Sequence, residues 1–407
     1  MSLPFPINPV LKSLPVYQPG RPIEEVAREM GLPPDTIIKM ASNENPLGPS
    51  RLALKAMRET LPKLNLYPDG NAFYLKQKLA AKLALTPANL VLGNGSNEVI
   101  ELLGHLVLQT LKQESGGRSQ EPESEGKNAA DKDGIRNTQY VPRPEVIVSQ
   151  YCFAVYPIVA ALFGAKLVEV PAKNFGHDLD AMLAAITPET RLIFVANPNN
   201  PTGTIVSNEK LANFINAVPE HILLALDEAY IEFVDSPLDL LPTIRAGQKK
   251  NLLLMRTFSK IYGLAGLRIG YGIGNPELIG ELEKIRQPFN INALAQAAAL
   301  AALDDTTHVE KTRRVNARGL KFLARAFRKL GLESVKSAAN FILVKVGNGQ
   351  GVFVKMQKAG VIARPMAGYG LPEWIRISVG TPKQNARALT ALGEALSECR
   401  GSSVEGE

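Results

Sequence analysis

The sequence predicts an α/β fold, with a mostly parallel sheet covered by helices. Three observations carry that expectation. Runs dominated by apolar residues recur at strand length: Leu90–Leu92, Val146–Val148, Arg191–Val195, Ile222–Leu226 and Leu252–Met255. They are continuous rather than alternating, as in strands buried on both faces. Helical patterns separate them, which suits parallel crossovers. Residues able to do chemistry, Ser96, Asn200, Asp227 and Lys260, each follow one of these runs. Ligands of such sheets sit beyond the carboxyl ends of strands.

In chain order, the N-terminal segment comes first. It carries Pro4, Pro6, Pro9, Pro15, Pro19 and Pro22, which excludes a regular helix or central strand. It is expected to wrap over the smaller domain or a partner subunit. Residues from about Lys112 to Arg143 are polar and rich in Gly, Ser and Glu. They cannot bury enough apolar surface to order themselves, so a disordered and functionally inert surface insertion is expected. Beyond about residue 285 the pattern changes. One long helical stretch is expected from Ala293 through Lys311 to Leu330. Strand-like Phe341–Val346 and Trp374–Val379 follow, then a C-terminal helix from Gln384. This reads as a smaller α+β domain. The expected division is a large domain over 45–285, containing the insertion at about 112–143, and a small domain from 1–44 and 286–407.

With 407 residues, 45% hydrophobic and 21% charged, the chain can bury a large core of ordinary globular composition. Cys152 and Cys399 give neither a disulfide framework nor metal-ligand spacing, so no metal is expected. The first residues lack a charged segment followed by an apolar one, and no apolar run is long enough to span a bilayer. A soluble cytoplasmic protein without a membrane partner is expected. The net charge of +7 attracts anions. Its bases are interspersed with acids, which favours a basic surface spread over many sites over a nucleic-acid interface.

Four stretches carry candidate chemistry. Arg256-Thr257-Phe258-Ser259-Lys260, with Arg268 eight residues on, follows the apolar run Leu252–Met255. A lysine beside a buried strand end is desolvated, which lowers its pKa and frees its lone pair for a Schiff base to an aldehyde. Neighbouring hydroxyls and a guanidinium suit a phosphate. An aldehyde and a phosphate together suggest pyridoxal 5′-phosphate. Alone, such a stretch is more often an ordinary loop; the other three supply the missing parts. Gly93-Asn94-Gly95-Ser96-Asn97-Glu98 follows a strand and opens a helix, whose free N–H groups attract phosphate. Ser96 also reads simply as a helix N-cap. Asn197-Pro198-Asn199-Asn200-Pro201-Thr202-Gly203 is fixed by two prolines, so Asn200 becomes a rigid donor, or else part of an Asx-turn. Asp227-Glu228-Ala229-Tyr230 ends a strand. A carboxylate there needs a partner, and a pyridinium N–H serves.

These motifs, with Ile375-Arg376-Ile377-Ser378-Val379-Gly380, resemble the fold-type I aminotransferases that use pyridoxal 5′-phosphate. Within them the chain is similar to the histidinol-phosphate aminotransferase family, from about Tyr17 to Ala395 with the insertion interrupting. The resemblance implies a fold-type I transferase, its large domain holding a seven-stranded, mostly parallel sheet between helices. It implies that Lys260 bonds the cofactor aldehyde and then carries the proton between substrate Cα and cofactor C4′. Asp227 would pair with the pyridine nitrogen, and Asn200 and Tyr230 with the 3′-oxygen. Ser96, Asn97, Thr257, Ser259 and Arg268 would hold the phosphate. Tyr67 matches a tyrosine that reaches the neighbouring subunit's cofactor, which implies a homodimer with shared active sites. Tyr17, Asn43, Arg364 and Arg376 match substrate positions. One departure stands out: Tyr151-Cys152-Phe153 replaces the family's frequent Pro-Thr-Tyr, so Phe153 becomes the ring-stacking residue, without a hydroxyl.

The implied reaction is amino transfer between L-histidinol phosphate and 2-oxoglutarate, giving imidazole-acetol phosphate and L-glutamate, in histidine biosynthesis. Two arginines suit a phosphate at the far end of the substrate. An aromatic amino acid (Phe or Tyr) as donor, or decarboxylation of a threonine phosphate, would use a similar lysine and arginine set. A regulatory protein that binds the cofactor without turnover is disfavoured by the intact Lys260 and Asp227.

Overall fold

The computed structural model describes residues 20–108 and 143–401, together with Val10 and Leu14. Tyr17 and nearly all of the expected insertion lie outside the described residues.

A seven-stranded sheet forms the centre. Its spatial order is Leu90–Gly93, Gly270–Gly274, Leu252–Thr257, Leu223–Asp227, Thr190–Ala196, Glu145–Ser149 and Lys166–Val170. Only Gly270–Gly274 runs against the rest, antiparallel to both its neighbours. The fold is therefore α/β with a mostly parallel seven-stranded sheet, as the sequence and its resemblance imply. Pleating sends alternate residues to opposite faces. Leu224, Leu226 and Leu254 enter one core with the helices Phe73–Leu83, Asn208–Ala217 and Ala293–Ala302. Leu223, Ala225, Leu253 and Met255 enter another with Gly95–Val107, Val155–Leu162 and Pro276–Ile285. Burial on both faces explains why these strands read as continuous apolar runs. Each large apolar side chain so buried contributes roughly 1.5–3 kcal/mol.

A four-stranded antiparallel sheet, in the order Arg364–Pro365, Trp374–Ser378, Phe341–Lys345, Ser334–Val335, forms the second layer system. Its Ile342, Val344, Ile375 and Ile377 face a core shared with the helices Thr306–Lys329, Gly349–Lys358 and Pro382–Gly401. The opposite face carries Phe341, Leu343, Trp374, Arg376 and Ser378, in register across the pair. The expected single helix from Ala293 to Leu330 is two, Ala293–Ala302 and Thr306–Lys329. The break comes where Asp305 accepts from the His308 N–H and caps the second helix.

Candidate active site

Six of the seven large-sheet strands are parallel in sense, so their carboxyl ends share one edge. The cleft lies there, with a volume of about 570 Å³. Asp227 ends one strand; Lys260, Ser96, Asn200 and Phe153 each follow another, and all five line the cleft. Tyr230, Thr257, Ser259, Asn97 and Arg268 line it too. A contiguous recess of about 150 Å³ adds Asn43, Arg364, Tyr369 and Arg376. Ten of the residues singled out for the cofactor, and three singled out for the substrate, thus surround one continuous space.

Asp227 and Lys260 are tied together from behind. Arg256 Nε donates to Glu228 Oε2 at 2.7 Å, with both side chains largely buried. The Glu228 N–H donates to the Met255 carbonyl at 2.8 Å. Each of these residues adjoins a motif residue, so the pair locks the two strand ends in place. Asp227 itself is buried, which pushes its carboxyl above the usual range. The Tyr156 hydroxyl donates to Asp227 Oδ2 at 2.7 Å and the Ala229 N–H to Oδ1 at 3.0 Å, both favouring the charged form. Burial lowers the Lys260 amine to about 8, with the Arg376 charge adding to the effect. Lys260 Nζ lies 3.4 Å from the Ser42 carbonyl and 5.7 Å from the centre of the Tyr230 ring. Burial raises the Tyr230 hydroxyl to about 12. That hydroxyl accepts from Asn43 Nδ2 at 2.9 Å, so its own proton stays available to donate.

Asn200 is held by Arg376, whose Nη1 donates to Asn200 Oδ1 at 2.5 Å. A guanidinium only donates, so the amide's sense is fixed and Nδ2 is left as the donor. Arg376 Nη2 also donates to the Ala41 carbonyl at 2.7 Å. Arg364 stands directly opposite Arg376 on the neighbouring antiparallel strand. Opposed residues of such a pair project to the same face, and like charges there repel unless an anion joins them.

The helix Gly95–Val107 begins one residue before Ser96, and Asn94 occupies the cap position without a side-chain cap bond. Ser96 therefore lies inside the first turn, which corrects its reading as an N-cap. Ser96 and Asn97 of that first turn line the cleft with Thr257, whose hydroxyl donates to Ser259 Oγ at 3.0 Å. A Cβ on Gly95, which sits at φ 73°, would lie 2.3 Å from Arg268 Nη2. A Cβ on Gly270 would lie 2.6 Å from the Ser96 nitrogen. Glycine is needed at both, and the result is a backbone cradle beneath a guanidinium.

Residues 124–392 match the family described as "Aminotransferase class I and II". The chain belongs to the class I and II aminotransferases. Relatives named histidinol-phosphate aminotransferase include one from Akkermansia muciniphila, 47% identical over 97% of this chain and 100% of its own length. A second, "Histidinol-phosphate aminotransferase 2" from Ralstonia nicotianae, is 46% identical over 98% of this chain and 99% of its own. A solved structure of histidinol-phosphate aminotransferase from Sinorhizobium meliloti, in complex with pyridoxal 5′-phosphate, superimposes with a TM-score of 0.80. It is 29% identical and covers 97% of this chain and 98% of that one.

Aminotransferases of this fold use pyridoxal 5′-phosphate, and the residues present fit it. The cradle at Gly95, with the Thr257 and Ser259 hydroxyls and Arg268, offers the donors a phosphate needs. A buried carboxylate, a depressed amine and an aromatic wall at Phe153 complete the donor set.

Two residues escaped the sequence reading. Tyr156, whose ring stacks on Phe194 at 4.3 Å, gives Asp227 its hydroxyl partner. Its signal was faint: a tyrosine three residues after Phe153, on a helix that is otherwise apolar. Phe175 is the other, treated below. Tyr67 does not line this cleft; it is 83% exposed and stacks on Phe289 at 4.8 Å. Among the described residues no group of three or more His, Cys, Asp or Glu could hold a metal ion, and no helix is long and apolar enough to cross a membrane.

Proposed function

We propose that this aminotransferase moves the amino group between L-histidinol phosphate and 2-oxoglutarate, yielding imidazole-acetol phosphate and L-glutamate. The observation that carries the substrate assignment is the opposed pair Arg364 and Arg376, in the recess that also holds Lys260. Two guanidiniums on one face suit a phosphate better than a flat aromatic ring. The names of the relatives point the same way.

Bound in the cleft, pyridoxal 5′-phosphate supplies an electrophilic carbon for the amine and a ring that accepts electrons. The protein supplies the rest. The Ser96 and Asn97 turn, Thr257, Ser259 and Arg268 hold the phosphate. Asp227, oriented by Tyr156 and the Ala229 N–H, presents its charge to the pyridine nitrogen. Asn200 Nδ2 and the Tyr230 hydroxyl donate to the 3′-oxygen, and Phe153 covers the ring. Lys260 Nζ, readily neutral, takes the proton from the substrate Cα and returns it. Arg364 and Arg376, with Asn43, orient the distal anion. The amine donor and the amine acceptor use the site in turn, giving a ping-pong sequence.

Two domains are assigned in this reading, 45–285 and 1–44 with 286–407, with the cleft between them, although the helix Ala293–Ala302 packs on the large sheet. A homodimer goes with it. Leu61, Leu64, Leu66, Tyr67, Phe73, Tyr74 and Phe289 are all exposed, with Tyr67 against Phe289 and Phe73 against Tyr74, the kind of apolar grouping that marks an interaction surface. A second copy would cover it and bring Tyr67 to the neighbouring cleft. The reaction's place in amino-acid biosynthesis, where glutamate is the common amine source, suits the cytoplasm. The test follows glutamate-dependent amination of imidazole-acetol phosphate by the purified protein. Stoichiometric histidinol phosphate and 2-oxoglutarate support the reading; cofactor binding without product contradicts it.

A further inference from the structure

Three residues in alternation on the strand Trp374–Ser378 share the face turned from the helices. Each is engaged by a segment from outside its own sheet. Ser378 Oγ accepts from the Asn43 N–H at 2.8 Å. Arg376 donates to Asn200. Trp374 meets the ring of Phe175 at 4.9 Å between centroids, at 62°. The first two contacts involve residues already placed in the site. The third does not, and it comes from a turn between a large-sheet strand and the next helix.

That turn is unusual in its backbone. Lys173 and Gly176 exchange both backbone hydrogen bonds, at 3.0 and 2.9 Å, and close a two-residue hairpin. Its central residues, Asn174 and Phe175, have φ of 50° and 63°. Such turns ordinarily take Asn and Gly; a phenylalanine at positive φ is strained. The strain persists because the surroundings hold it. The Phe175 ring lies between Trp374 and Tyr151, the latter stacked at 5.9 Å and 25°. Thr204 Oγ1 donates to the Phe175 carbonyl at 3.1 Å, and this threonine belongs to the loop that carries Asn200. The turn therefore braces both partners of the Arg376–Asn200 bond: the loop through a hydrogen bond, the strand through an aromatic wedge two residues from Arg376.

We propose that Phe175 is a positioning residue for the distal anion site, wedging the Trp374–Ser378 strand so that Arg376 meets the substrate phosphate. This rests on the reading of Arg364 and Arg376 as the anion pair. Trp374 is the chain's single tryptophan, so its fluorescence reports on this contact directly.

The test compares the wild-type holoenzyme with Phe175→Ala and Phe175→Tyr. Inorganic phosphate is the probe, titrated while Trp374 emission is recorded, and steady-state kinetics are run with the phosphorylated acceptor. The wild type should bind phosphate with a change in Trp374 emission. Phe175→Ala should shift Trp374 emission to the red, weaken phosphate binding about tenfold and raise KM by a similar factor, while kcat changes less than about twofold. Phe175→Tyr keeps the ring and should restore all three. Unchanged phosphate affinity and KM in Phe175→Ala would overturn the wedge role alone. So would a fall in kcat together with lost cofactor absorbance, the mark of general damage. A wild type that binds no phosphate would overturn the anion-pair reading beneath it.

Discussion

The two ends of the cleft are built differently. The cofactor end sits on the carboxyl edge of a parallel sheet, where Asp227 and Lys260 follow strands hydrogen-bonded to each other. Its polar groups are buried, and several are paired close by: Thr257 with Ser259, Asp227 with Ala229, Glu228 with Arg256 one strand away, while Tyr156 and Asn43 reach Asp227 and Tyr230 from more distant segments. The distal end is assembled across the chain. Arg376 bonds residues 176 and 335 positions away, and Trp374 leans on a turn near residue 175. Rigid strand ends suit chemistry, which needs atoms held within fractions of an ångström. Substrate choice here falls to a small sheet braced by loops, coupled to the catalytic end through the Arg376–Asn200 bond and the Arg376 charge beside Lys260.

If that division is right, damage at the cofactor end should strike kcat and damage at the distal end should strike KM. The largest effect is expected for Lys260→Ala, which removes the proton carrier. Turnover should fall by at least about 10³-fold, with circular dichroism and melting temperature near those of the wild type. Turnover at the wild-type rate would mean that the lysine is misassigned. Asp227→Asn should come next. It keeps the shape but not the charge facing the ring nitrogen, and kcat should fall on the order of 10²-fold with a small change in KM. A pure KM effect there would erase the distinction between the ends.

The environment of Lys260 gives a milder and graded test. Burial and the nearby arginine disfavour its protonated form, so the amine should lose its proton near pH 8 rather than at its ordinary value. The rate at which cofactor-free protein captures pyridoxal 5′-phosphate should therefore rise with pH to a plateau, with a midpoint near 8. A midpoint two units higher would show that the amine is solvated and that the cleft does not activate it.

The contrast between the ends also explains what the sequence made legible. Asp227-Glu228-Ala229-Tyr230 and Arg256-Thr257-Phe258-Ser259-Lys260 are contiguous, follow fully buried strands, and could be read in place. The strand Gly270–Gly274 was not read, because its glycines break the apolar pattern. They are there because side chains would strike neighbours: a Cβ on Gly272 would lie 2.9 Å from Val91 Cγ1. The outer strand Lys166–Val170 is partly exposed at the sheet's edge and carries no continuous apolar run. The helix break near Asp305 was hidden by continued helical patterning on both sides. Arg364 and Arg376 could be named from a resemblance, but nothing local to either reveals that they face each other. Phe175 was beyond reach for the same reason: its role depends on a register between distant segments, and a Lys-Asn-Phe-Gly turn reads as an ordinary loop.

The most direct measurement is kcat/KM for imidazole-acetol phosphate and for phenylpyruvate, with glutamate as donor, in the wild type and in Arg376→Ala. The account predicts a strong wild-type preference for the phosphorylated acceptor. In Arg376→Ala that preference should shrink by at least about 30-fold, the effect of roughly 2 kcal/mol of charge-assisted binding lost to the phosphorylated acceptor alone. The lost hold on Asn200 lowers kcat for both acceptors by a common factor, which leaves the ratio untouched. A wild type that prefers phenylpyruvate, or a variant that loses both acceptors equally, would contradict it.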